Sequence, residues 1–117
     1  MTGRRLKTYA SDTGRVYEYY FVEKRPAFAS FGAAIEYVYE VSIDRRDTFA
    51  VSIFVLDEAV ADWAARHGRA LDDNERYVAA RLALQSGFDE IEDLYQSARQ
   101  LHVGPEKLEE LLAPLDI

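Results

Sequence analysis

Few side chains in this sequence have the types and spacing that catalysis or metal binding requires. His67 and His102 are the only histidines among 117 residues, and there is no cysteine. A disulfide scaffold, a thiolate zinc site and a cysteine nucleophile are therefore excluded. Charged residues at helical spacing form two groups, Glu58 with Asp62 and Arg66, and Asp89 with Glu92 and Asp93. Both groups are typical of solvated helix faces. We expect no metal, no cofactor and a role other than catalysis.

A pocket between predicted elements is the remaining way for this chain to handle a small molecule. His67 is predicted at the end of the first helix, where an imidazolium interacts favourably with the helix dipole. Trp63 lies one turn earlier, and Tyr77 lies in the next predicted helix. One hypothesis is therefore a small-ligand-binding protein or enzyme whose pocket, between sheet and helices, is lined by Trp63, His67 and Tyr77.

The elements that position these residues begin with a β-hairpin over residues 4–24. Its second half is dense in aromatic and β-branched residues, which favour strands. Residues 12–14 predict a three-residue loop in which Gly14 takes a positive φ. That loop sets Ser11 opposite Arg15.

A second hairpin over residues 34–57 has apolar residues at every second position of both strands. The register that we predict pairs Ile43 with Phe49 and leaves residues 45–47 as the loop. Between the hairpins, residues 25–33 contain Pro26 and predict an irregular connection.

The apolar period changes to that of helices after residue 56. Helical patterns cover residues 57–67, 72–88, 89–101 and 105–113. We expect one α+β domain over residues 1–117, in which residues 4–56 form a four-stranded antiparallel meander. Three to four helices over residues 57–117 then pack on one face, and the last two form an acidic pair.

Residues 93–112 resemble the helix-turn-helix of bacterial repressors. The resemblance rests on small and apolar residues at packing positions, namely Ala98, Leu101, Val103, Leu108 and Leu111. The sequence departs from the motif at His102, where the motif has a glycine. The positions that would face DNA carry Glu106, Glu109 and Glu110. Carboxylates repel phosphates, so we expect two packed helices joined by a tight turn and no DNA binding by them.

Six of the eight tyrosines lie on predicted strands, namely Tyr9, Tyr17, Tyr19, Tyr20, Tyr37 and Tyr39. Some RNA-binding sheets stack bases on such residues, so a nucleic-acid-binding regulator is an alternative hypothesis. However, the first 47 residues contain eight bases and seven acids. The bases at one end of the sheet are Arg4, Arg5, Lys24 and Arg25, and we expect Asp57 and Glu58 to neutralise them.

Tyr17, Tyr19 and Phe21 alternate on one face of the second predicted strand. This aromatic surface exceeds what one helical layer should cover, so we place these residues at the centre of a homodimer interface. The leading hypothesis is a small regulatory or accessory domain that acts through protein–protein contact.

Charge and hydropathy indicate the cellular compartment in which we expect the chain. The net charge is −7, and residues 89–117 contain eight acids and two bases. No apolar run follows the N-terminal arginines, and no segment approaches the ~20 apolar residues of a membrane span. We expect a cytoplasmic protein without membrane contact.

Overall fold

The computed structural model describes residues 5–91, 99–115 and 117. It contains a mixed sheet of five strands in the order β1-β2-β3-β4-β5. The strands are β1 (Lys7–Ala10), β2 (Val16–Ala29), β3 (Gly32–Ile43), β4 (Asp47–Leu56) and β5 (Gln100–Val103). The α-helices of the described residues are α1 (Asp57–His67), α2 (Asp73–Glu90) and α3 (Pro105–Leu112). The predicted α+β class is confirmed, but the sheet has one strand more than predicted.

The first hairpin has the predicted register. Tyr9 pairs with Tyr17, and the Ser11 amide donates to the Arg15 carbonyl at 2.9 Å. Gly14 has a φ of +88°, as the three-residue loop requires. The loop chemistry alone was therefore enough to align these two strands.

The segment between the predicted hairpins is not an irregular connection. β2 continues to Ala29 and β3 begins at Gly32, so the two strands form a long ribbon. Pro26 is tolerated because β1 pairs only with residues 16–19, which leaves this part of β2 at the sheet edge among the described residues. A β-bulge between Phe21 and Glu23 marks the start of this edge.

The second hairpin differs from the predicted register by two residues. Val41 pairs with Phe49, and Ile43 pairs with Asp47. The loop therefore starts one residue earlier than predicted, and Asp44 and Arg45 take positive φ angles of 51° and 62°. A shift of two leaves every side chain on its predicted face, so the core is unaffected.

The fifth strand replaces the predicted helix-turn-helix. Gln100–Val103 pairs in parallel with β4, and the Ser52 amide donates to the Arg99 carbonyl at 2.8 Å. The prediction that a helix continues to residue 101 and turns into the next helix is therefore wrong for these residues. Residues 92–98, with Glu92, Asp93 and Ala98 of the predicted patterns, lie outside the described residues, as does Arg4.

Aromatic rings dominate the contact between the sheet and α2. The buried side of the sheet carries Tyr17, Tyr39 and Val51, each 0% exposed. Phe88 of α2 stacks on Tyr17 with ring centroids 4.1 Å apart. α2 begins with the predicted capping box, in which the Glu75 amide donates to Asp72 at 2.8 Å. The Phe88 ring therefore ties α2 to β2, while the helix backbone lies closest to β4 and β5.

Candidate functional site

A cleft of about 380 Å³ lies between the β1–β2 edge and α2. Its aromatic lining consists of Tyr19, Tyr20, Phe21 and Tyr77. Its charged lining consists of Arg5, Lys7 and Arg81. We call these seven residues the cationic cleft, and its volume lies within the usual range for small-molecule sites.

The pairing of β1 with β2 forms one wall of the cationic cleft. Lys7 pairs directly with Tyr19, so both side chains lie on the same side of the sheet. Arg5 lies just before β1, two residues from Lys7, and also lines the cleft. The bulge beyond Phe21 bends β2 away at this point, which opens a space beside the end of β1.

Helix α2 supplies the opposite wall. Tyr77 and Arg81 are four residues apart and therefore share one face of the helix. The Tyr77 ring meets Phe21 nearly at right angles, with centroids 5.2 Å apart, so the ring is held by packing. One turn after Arg81, the Gln85 amide donates to the Tyr19 hydroxyl at 2.8 Å and ties the helix to β2.

The electrostatics of the cationic cleft differ from those of the rest of the chain. None of the described residues that line it carries a carboxylate, although the chain has a net charge of −7. Among the described residues, none of its three cations lies within ion-pair distance of an acid. Elsewhere arginines are paired, for example Arg76 with Asp57 at 2.6 Å. The cationic cleft therefore has the charge of an anion site.

The three residues of the predicted pocket do not meet. Tyr77 lines the cationic cleft. Trp63 is 2% exposed, and its ring stacks on His67 with centroids 4.2 Å apart. His67 lies 2.8 Å from the Glu109 carboxylate, so it connects α1 to α3. Trp63 and His67 serve helix packing at a different place in the fold.

The three residues of the predicted interface lie under α2. Tyr17 and Tyr19 are 0% and 3% exposed, and Phe88 packs against both. Phe21 is partly exposed and lines the cationic cleft. A second copy cannot reach Tyr17 or Tyr19 while α2 is in place, so a homodimer, which stays a prediction, requires another surface.

The arrangement of the tyrosines does not form a base-stacking platform. Tyr9, Tyr17, Tyr19, Tyr37 and Tyr39 contact one another, α2 or Phe21 through their rings. The predicted charge cluster at the sheet end also separates into local pairs, because Arg25 lies 2.9 Å from Glu36. Asp57 pairs with Arg76 instead of with the bases of the first strand.

A second cavity of about 280 Å³ holds the side chains of Ser86, Glu90 and Lys107. The Ser86 hydroxyl donates to Glu90, and the Lys107 ammonium lies 3.2 Å from the Ser86 oxygen. A serine beside a lysine can form a nucleophile–base pair only when the lysine is neutral. Here Glu90, at 3.5 Å, and Glu110, at 4.0 Å, both pair with the charged Lys107. The cluster is therefore an ion-paired contact between α2 and α3.

The ionisation of three tyrosines makes the stability of this fold depend on pH in the alkaline range. The Tyr9 hydroxyl donates to Asp89 at 2.6 Å, and this hydrogen bond raises the pKa of Tyr9 from 10.0 to about 12. Burial raises the pKa of Tyr37 and of Tyr39. For each group the folded pKa lies above the unfolded one. The stability that they provide is therefore complete below pH 10 and is lost as pH rises through the folded values.

We expect the urea midpoint of unfolding to fall steadily between pH 10 and about 12, because the unfolded chain releases these protons first. Replacing Tyr9 with phenylalanine removes one of the groups and makes the fall shallower. Equilibrium urea titrations at several pH values measure both curves. If the urea midpoint falls equally steeply with pH in the wild type and in Tyr9→Phe, ionisation of Tyr9 does not contribute to the loss of stability.

The pocket predicted from the sequence included Tyr77 but none of the cations beside it. Arg81 could have been found, since it lies one turn after Tyr77 on the same helix face. Lys7 could have been found as well, because the correctly predicted hairpin register sets it opposite Tyr19. No pattern in the sequence indicates that α2 lies over this edge of the sheet.

Comparison with protein-family models, curated protein sequences and solved structures finds no match to this chain. Within residues 5–91, 99–115 and 117, no group of three or more histidines and acids could hold a metal ion. None of the helices in this described part is both long and apolar enough to cross a membrane. Function is therefore inferred from the geometry of the chain itself.

Proposed function

We propose that this protein binds a small organic anion in the cationic cleft, as a regulatory or accessory domain. The observation that supports the proposal is the convergence of Arg5, Lys7 and Arg81 on one cavity that no carboxylate lines. In a chain of net charge −7, such a cavity is opposite in sign to its surroundings. Like charges near each other destabilise the empty cavity, and a bound anion relieves that repulsion.

The side chains suit an oxyanion. The two arginines present planar, forked donors that match carboxylate and phosphate oxygens, and Lys7 adds a compact charge. Hydrogen bonds to charged groups stabilise by about 1.5–3 kcal/mol each. Association itself costs several kcal/mol. Three such contacts less that cost leave at most about 5 kcal/mol, which corresponds to a dissociation constant of roughly millimolar for a simple anion.

The test is a calorimetric titration with inorganic pyrophosphate at low ionic strength. We expect wild-type protein to bind it and Arg81→Glu to bind about tenfold or more weakly, because a contact is replaced by repulsion. Arg46→Glu is the matched control, since it makes the same charge change at the exposed tip of the second hairpin. Its affinity should stay within about twofold of wild type, because distant surface charges are screened.

Two results would overturn the proposal. One is the absence of pyrophosphate binding to wild-type protein at millimolar concentration. The other is an equal loss in Arg81→Glu and Arg46→Glu, which would mean that only overall charge matters. Far-ultraviolet circular dichroism of both variants shows whether each is folded.

Self-association through another surface is a second candidate, favoured by apolar groups on the side of the sheet opposite Tyr17. Leu6 is 56% exposed there, and Tyr20 and Val38 are partly exposed. We expect light scattering at micromolar concentration to give twice the chain mass of 13.4 kDa. Leu6→Glu should give a folded monomer. A wild-type mass of one chain at every concentration would exclude the dimer.

A further inference from the structure

We infer that the ligand of the cationic cleft is an aromatic ring that carries a dianionic group, such as a phosphate monoester. This inference rests on the proposed anion-binding function and specifies its ligand. It is supported by two features of the lining, the number of cations and the kind of apolar surface between them. The number of cations argues against monoanions, and the aromatic surface argues against anions that lack a ring.

The number of cations indicates more than one negative charge. Arg5, Lys7 and Arg81 supply three positive charges, and no acid within the lining offsets any of them. A monocarboxylate would leave two of these charges without a counterion inside a partly enclosed site. A phosphate monoester is a dianion near neutral pH, and its three terminal oxygens can accept from both arginine forks.

The apolar surface indicates a ring. The rings on the cleft side are those of Tyr19, Phe21 and Tyr77, because Tyr20 alternates to the opposite side of the sheet. Among the described residues, no aliphatic side chain lines the cleft. Tyr77 is partly exposed in the cleft, and packing against Phe21 at 5.2 Å and Tyr37 at 6.1 Å restricts its orientation. A preoriented aromatic surface favours another ring over an alkyl group, because offset-stacked and edge-to-face geometries add to simple area burial.

The ring and the charge must also fit together. Tyr77 and Arg81 project from successive turns of one helix face, so their Cβ atoms are roughly 5–6 Å apart. This separation is close to the length of a phenyl group with its attached phosphate ester. One small molecule can therefore place its ring at Tyr77 and its anionic group at Arg81.

The test compares two probes that have the same charge and differ in the ring, phenyl phosphate and methyl phosphate. We expect calorimetry on wild-type protein to show about tenfold tighter binding of phenyl phosphate, in line with the usual contribution of one aromatic stack. Tyr77→Leu should reduce this ratio to near one while methyl phosphate binds as before. Tyr77→Phe keeps the ring and should keep the ratio.

The outcomes separate this inference from the proposed function. If both phosphates bind wild-type protein equally, the anion site stands and the preference for a ring is wrong. If neither binds, the proposed anion site fails, and the inference fails with it. If Tyr77→Leu retains the full preference for phenyl phosphate, the selectivity does not come from this aromatic wall and the inference is overturned.

Discussion

Replacing Phe88 with alanine is expected to lower the free energy of unfolding by about 3–5 kcal/mol, the range for loss of a buried aromatic ring. Phe88 is 0% exposed and stacks on Tyr17 with ring planes within 7° of parallel. Its centroid also lies 5.7 Å from those of Tyr9 and Tyr19. The substitution leaves a cavity that these rings cannot refill, because Tyr9 is held by its hydrogen bond to Asp89.

The control for this prediction is the same truncation at an exposed phenylalanine. Phe28 lies near the tip of the β2–β3 ribbon and is 82% exposed. Phe28→Ala should change the free energy of unfolding by less than about 0.5 kcal/mol. Urea unfolding followed by circular dichroism measures both values. Similar losses in the two variants would mean that Phe88 is not part of the core.

Alternation in the sequence was enough to predict the buried side of the sheet. Val41, Phe49 and Val51 were predicted to face the core, and they are at most 4% exposed. The exact register was not predictable from the same pattern, because a shift of two residues preserves both faces. What decides the register is the loop, where Asp44 and Arg45 adopt positive φ angles; aspartate is enriched in that conformation, but arginine is not.

The fifth strand shows how short apolar patterns can mislead. Leu101 and Val103 are two residues apart, a spacing that fits both a helix-turn-helix skeleton and a strand. β5 has only four residues, and its partner β4 lies about fifty residues earlier in the sequence. Neither feature produces a local signal, so the helical interpretation was favoured. The expectation that Glu106, Glu109 and Glu110 oppose DNA binding stays a prediction.

The cationic cleft was predictable only in part, since its residues come from the first two strands and from α2, which are distant in the sequence. Tyr77 was singled out because it opens an apolar stripe on a helix. The contribution of Arg81 depends on which face of α2 meets the sheet, and that of Lys7 on the placement of β1 at the sheet edge. These are tertiary facts, and a single sequence carries no direct record of them.

Replacing Leu108 with alanine is expected to lower the free energy of unfolding by about 2–5 kcal/mol. Leu108 is 0% exposed, and its helix α3 packs against α1 and α2. The helix begins at Pro105, and its Glu109 side chain contacts His67 of α1. The C-terminal segment is therefore part of the core, although its surface is acidic.

Leu115 provides the matched control, because it is 41% exposed just beyond the same helix. Leu115→Ala should cost less than about 1 kcal/mol, since little buried surface is lost. Glu110→Gln should have a comparably small effect, because its pair with Lys107 at 4.0 Å is exposed. Urea unfolding measures all three variants. A loss in Leu108→Ala no greater than in Leu115→Ala would show that α3 docks weakly. If α3 docks weakly, residues 99–115 would stabilise the sheet, and with it the cationic cleft, only through the pairing of β5 with β4.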